Sequence, residues 1–84
     1  MTSKTLTSTE LRRRLATNVR TLRTAAALTI KQAAGKADVH WRHWQKIEAG
    51  ENNATLATII RVAEALNVTA AELLEAPAEP KPSE

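Results

Sequence analysis

Five apolar residues, Leu11, Leu15, Val19, Leu22 and Ala26, follow one another at intervals of four, four, three and four. That rhythm lays them along one stripe of an α-helix rather than on the alternating faces of a strand. Thr7 and Glu10 stand at the capping-box spacing that starts such a helix. A second start lies at Thr29, with Gln32 three residues on and the small residues Ala33, Ala34 and Ala37 after it. This helix is short and is expected to end near Asp38. Trp41 to Glu48 then places Trp44 and Ile47 inward and Trp41, Arg42, Gln45 and Lys46 on other faces, with Gly50 as its stop. Beyond the polar loop 51–54, Thr55 caps a fourth helix whose apolar set is Leu56, Ile59, Ile60, Val62, Ala63 and Leu66. Asn67 tolerates the left-handed conformation that closes a helix. Thr69 and Glu72 form another capping box, for a short fifth helix holding Leu73 and Leu74. No strand pattern, internal repeat or glycine-rich phosphate loop interrupts this all-α reading.

A chain of 84 residues has room for one domain. That domain is expected over 9–75, between a flexible arm at 1–8 and a disordered tail at 76–84, where three prolines stand among polar residues. The only aromatics are two tryptophans, so the core must come from Leu, Ile, Val and Ala, the residues of helix-on-helix packing. Cysteine is absent, which excludes disulfides, thiol catalysis and cysteine-ligated metals. No apolar run approaches the roughly 20 residues that cross a bilayer, and residues 1–10 carry no apolar signal region. A cytoplasmic protein without membrane contact is expected. Charge divides sharply along the chain. Residues 1–47 hold ten lysines and arginines against Glu10 and Asp38, whereas residues 48–84 hold Arg61 and Lys81 against seven glutamates. One half suits a polyanion and the other would be repelled by it, although runs of charge also serve merely as solvated helix faces.

Residues 28–74 resemble the helix-turn-helix family of the Cro and CI-type phage repressors, also called the XRE family. The resemblance rests on Ala34 at the close helix crossing, Val39 after the turn, the Ile47-Glu48-Ala49-Gly50 exit and the Ala63-Glu64-Ala65-Leu66-Asn67-Val68 run. With the first helix it covers about three quarters of the chain. It implies a five-helix lambda-repressor-like DNA-binding domain with its helix-turn-helix at 30–48. Among family members it is most like small dimeric regulators such as restriction-modification controller proteins. Several positions depart from the pattern. Asp38 stands where a turn glycine is usual, Ile30 replaces a frequent phosphate-contacting glutamine, and Ala54 stands where proline is common. Trp44 fills a position usually held by Ile or Val, while Ala33 and Ala37 stand where larger Leu is typical, an exchange of volume within one core.

Carried over position by position, the resemblance implies that Trp41, Arg42, Gln45 and Lys46 face the bases of a major groove. Arg42 then bonds guanine acceptors, Gln45 pairs with adenine and Lys46 reaches guanine or phosphate. Trp41 lies either on a thymine methyl or sugar edge, or against a neighbouring helix as surplus core. Arg20, Lys31, Lys36, His40, His43, Asn52 and Asn53 are the expected phosphate partners, with His40 otherwise a helix cap. The run Arg12-Arg13-Arg14 is by default a solvated face. Arg23 and Glu48 match the family positions of a partly buried ion pair. His40 and His43 have no further ligand to complete a metal site and no nucleophile nearby, so neither a metal, a cofactor nor catalysis is expected.

The resulting expectation is a transcription regulator acting as a homodimer on a palindromic operator of double-stranded DNA. Its subunits meet through helices 4 and 5, with Val68 and Leu74 as contact residues, and RNA polymerase or another regulator is a further partner. The competing reading is an antitoxin or protein-interaction module whose acidic half wraps a basic partner. The tail from Ala76 has little apolar content with which to anchor one.

Overall fold

The computed structural model describes residues 5–51 and 54–77. Five helices follow in order, α1 (Ser8–Ala25), α2 (Ile30–Ala37), α3 (Trp41–Glu48), α4 (Leu56–Leu66) and α5 (Ala70–Leu74), and no strand occurs among the described residues. Most of the expected arm and tail, residues 1–4 and 78–84, lie outside the described residues, as do Asn52 and Asn53. Ser8, expected in the arm, is the first residue of α1.

Each helix begins where a side chain satisfies backbone N–H groups that have no partner inside the helix. Thr7, Thr29 and Thr69 accept from the backbone of Glu10, Gln32 and Glu72, and those three side chains reach back to the cap's own N–H. Thr55 caps α4 by accepting from Thr58 N at 3.1 Å. The ends are equally uniform. α1, α2, α3 and α4 each close with a pair of backbone bonds spanning five and three residues. They run from Leu28 and Ala27, Val39 and Asp38, Glu51 and Gly50, and Val68 and Asn67 back to the last turn. This closure needs one residue in the left-handed region, and the four are Ala27, Asp38, Gly50 and Asn67, at φ of 58–73°. Asp38 thus takes the conformation that its glycine-type position demands. Ala27 takes it too, with no amide or carboxylate to favour it.

The core is a single aliphatic cluster around one aromatic. Trp44, Val19, Ala33 and Leu73 are fully buried, with Ile47, Val62, Ala34, Ala37 and Ala63 nearly so. Ala33 and Ala37 on α2 and Trp44 on α3 all belong to this one buried cluster, as an exchange of volume within one core requires. α1 packs on α3, α4 and α5, and α2 packs on α3 and α4. The α1 stripe is centred on Leu15, Ala16 and Val19; Ala26 is exposed because it caps the helix instead of continuing it. α5 is too short to hold itself. Asn18 of α1 donates its amide to the carbonyls of Leu73 at 2.8 Å and Glu75 at 2.9 Å, satisfying the end of α5 from outside.

Candidate nucleic-acid interface

α2, the turn 38–40 and α3 form a helix-turn-helix, and α3 is its exposed member. Trp44 and Ile47 sink into the core, so Arg42, Gln45 and Lys46 necessarily emerge on the opposite face, all exposed, with Trp41 half-buried at its edge. The helix starts on an unusual cap. His40 Nδ1 accepts from Arg42 N at 3.1 Å, so the neutral ring carries its proton on Nε2. The expected cap is formed through Nδ1, and Nε2 stays available for the other expected role.

The angle of α3 is set from behind by a three-residue network. Arg23 of α1 donates Nε–H to Glu48 Oε2 at 2.6 Å and Nη2–H to Oε1 at 3.0 Å, a two-point grip on the carboxylate. Its remaining Nη1–H goes to Leu28 O at 2.8 Å, and Trp44 Nε1–H donates to Glu48 Oε2 at 2.7 Å. The side chains of Arg23 and Glu48 are only 13% and 8% exposed, yet their polar atoms find partners. The hydrogen bond to Glu48 holds the Arg23 guanidinium above its ordinary pKa against the opposing desolvation of burial, and the charge of Glu48 adds a smaller push in the same direction.

In front of α3, three basic or aromatic side chains gather on Trp41. Lys31 Nζ of α2 lies 5.2 Å and Arg42 Cζ 5.3 Å from the indole centroid, and the His40 ring stacks at 5.8 Å. Gln45 shares a shallow groove with Arg23, Thr29, Ile30, Lys31 and Trp41. Lys36 is exposed at the other end of α2 and Arg20 is exposed on α1, both outside this cluster. His43 is half-buried, and its Nε2 is shielded from solvent without a hydrogen-bond partner, so Nδ1 is the ring nitrogen left for the expected phosphate contact.

On the acidic side, Val68 and Leu74 are half-buried against their own core, and Leu74 O accepts from Arg14 Nη1 at 3.4 Å. Among the described residues the large apolar side chains left in solvent are Leu56, 74% exposed, and Ile60, 49% exposed, one turn apart on α4. Sequence reasoning did not single these two out. Their signal was an α4 apolar set too wide for one stripe. Among the described residues no group of three or more metal-ligating side chains converges, and no helix is long and apolar enough to cross a membrane.

Comparison with solved structures places this arrangement among known regulators. A hypothetical transcription factor, NHTF from Neisseria, superposes with a TM-score of 0.79 at 26% identity, over 92% of this chain and 86% of that one. The restriction-modification controller protein C.AhdI from Aeromonas hydrophila gives 0.71 at 27% identity, over 74% of this chain and 94% of that one. An HTH_3 family transcriptional regulator from Vibrio cholerae shares the fold at a TM-score of 0.76 and 24% identity. This chain covers 80% of its own length in that match and only 38% of the Vibrio protein. Curated protein sequences return no match. The family model for the helix-turn-helix domain HTH_31 matches residues 14–76, three quarters of the sequence and all of the α2–turn–α3 unit, in keeping with the Cro and CI-type resemblance. The chain belongs to this helix-turn-helix family.

Proposed function

We propose that the chain is a sequence-specific DNA-binding transcription regulator that presents α3 to the major groove and binds as a homodimer to a palindromic operator. One observation carries the reading: a row of exposed donors, Arg42, Gln45 and Lys46, stands on a helix whose back is locked by Trp44, Glu48 and Arg23. A guanidinium, an amide and an ammonium on a rigid helix suit base-edge acceptors, and a fixed helix angle is what reading them requires. Arg20, Lys31, Lys36 and the Nε2–H of His40 supply phosphate contacts, joined by Asn52 and Asn53 of the loop. The concentration of basic residues in 1–47 favours the same polyanion. The controller protein and transcription-factor likenesses agree with regulation of transcription as the role.

Dimerisation follows from the size of the module, since one recognition helix makes too few contacts for tight specific binding and two half-sites multiply them. Leu56 lines an apolar pocket of about 230 Å³ together with Leu11, Leu15, Ile59 and Leu74, and Ile60 is exposed one turn on along α4. A second copy of the chain covers this surface, to which Leu74 belongs, and Val68 is the further contact residue of the pairing through helices 4 and 5. Selection of bound duplexes from a random pool, followed by footprinting, tests the whole reading. It should return an inverted repeat with half-sites on one face of the duplex. Recovery of no preferred sequence, with binding insensitive to salt, would remove it and leave the protein-partner reading in its place.

A further inference from the structure

The cluster on Trp41 has a role beyond adding an apolar edge to the recognition helix. Lys31 and Arg42 each occupy the second position of their helix, after Ile30 and Trp41 respectively. The positive end of a helix dipole repels a cation there. Neither first turn contains an acidic residue, and among the described residues neither cation has a carboxylate within salt-bridge distance. What both do have is the π face of one indole, at 5.2 and 5.3 Å. The indole itself is half-buried against the core, and the His40 ring stacks on it. It is therefore fixed, while the two long side chains it attracts would otherwise sample many rotamers.

We propose that Trp41 is a positioning residue that holds Lys31 of α2 and Arg42 of α3 as one pre-ordered pair, coupling a phosphate contact to a base contact. This inference rests on the DNA-binding reading. Cation–π attraction at an exposed site corresponds to about two- to five-fold in an equilibrium constant. The coupling runs between the two helices of the motif, because Lys31 and Trp41 belong to different elements.

Two measurements on the full chain test it. In the free protein, nuclear magnetic resonance should show the Lys31 ε-methylene and Arg42 δ-methylene protons shifted upfield by the indole ring current. The shift should vanish in Trp41→Leu and be kept in part in Trp41→Phe, with thermal melting as the control for folding. On the selected operator, Trp41→Leu should weaken binding about two- to five-fold and lower the salt slope by up to ~0.9, the share of one phosphate contact. Lys31→Ala should then cost less in the Trp41→Leu background than in the wild type. An indole that only touches a thymine methyl would leave the slope unchanged. Unshifted methylenes in the wild type, or equal costs of Lys31→Ala in both backgrounds, overturn the coupling alone. Wild-type protein with no salt-dependent DNA binding overturns the coupling together with the reading on which it rests.

Discussion

Trp44 Nε1–H and Arg23 Nε–H converge on the same oxygen of Glu48, at 2.7 and 2.6 Å. One donor comes from the core residue a turn before Glu48 on α3, the other from α1, so the carboxylate ties the helix that presents the exposed donors to both the core and its neighbour. Breaking a buried pair by removing one partner leaves an uncompensated charge. Arg23→Met should lower stability by about 3 kcal/mol, near the small end of such losses because Trp44 continues to donate to Glu48. Operator affinity should fall as well, since the angle of α3 loses its brace. Urea denaturation and binding titrations check both, and an unchanged midpoint with unchanged affinity would show the brace to be idle.

The exchange of volume between α2 and α3 can be tested by reversing it. Trp44→Ile should destabilise the protein by about 3 kcal/mol through the cavity it leaves and the donor it removes. Adding Ala37→Leu, which restores bulk to the same cluster, should recover part of that loss, whereas Ala37→Leu alone should be destabilising through overpacking. The signature is non-additivity in a double-mutant cycle read by thermal melting.

Helix closures offer a ranked series. Ala27 has φ 59° with neither the absent Cβ of glycine nor a polar side chain to ease the left-handed region. Ala27→Gly should therefore stabilise by about 0.5–1 kcal/mol, the strain relieved less the added freedom of the unfolded chain. Asp38→Gly should gain less and Asn67→Gly least, because short polar side chains already tolerate this conformation. Melting temperatures of the three variants should fall in that order.

Self-association should depend on α4. Leu56→Glu with Ile60→Glu places charge on two large apolar side chains that lie exposed outside the core, so the folded core should be untouched while a dimer is lost. Sedimentation at tens of micromolar should show a dimer for the wild type and a monomer for the double variant. A monomeric wild type that stays monomeric on its operator would exclude the symmetric reading.

Much of this architecture was legible because it is local. Threonine caps at Thr7, Thr29, Thr55 and Thr69 announce themselves within four residues, and the inward spacing of Trp44 and Ile47 fixes which face of α3 is left for Arg42, Gln45 and Lys46. What escaped depends on contacts distant in the chain or on the unmarked conformation of one residue. Nothing at Asn18 reveals that its amide closes a helix more than fifty residues on. Ala27 carries no mark of its left-handed turn, and the shielding of His43 Nε2 is set by packing rather than by spacing. The apolar set after Thr55 is wide for so small a core, but helical intervals alone do not say that Leu56 and Ile60 are the members left in solvent.

Arg42 and Lys36 should separate base reading from backbone attraction. Both are exposed cations on the helix-turn-helix, but Arg42 stands in the first turn of α3 and Lys36 in the last turn of α2. A guanidinium at the start of a recognition helix can give two donors to guanine O6 and N7, which no other base edge accepts in the same way. Arg42→Ala should accordingly cost about 1–3 kcal/mol per half-site on the selected operator and much less on a scrambled duplex, relaxing the preference at one base pair. Lys36→Ala should weaken both duplexes equally and lower the salt slope by ~0.9, because a phosphate contact releases a counterion whatever the sequence. Titrations of both duplexes at several salt concentrations distinguish the two patterns. If Arg42→Ala lowered both affinities in parallel while the wild type kept a clear preference, Arg42 would be a backbone contact, and the base reader would have to be Gln45, Lys46 or Trp41.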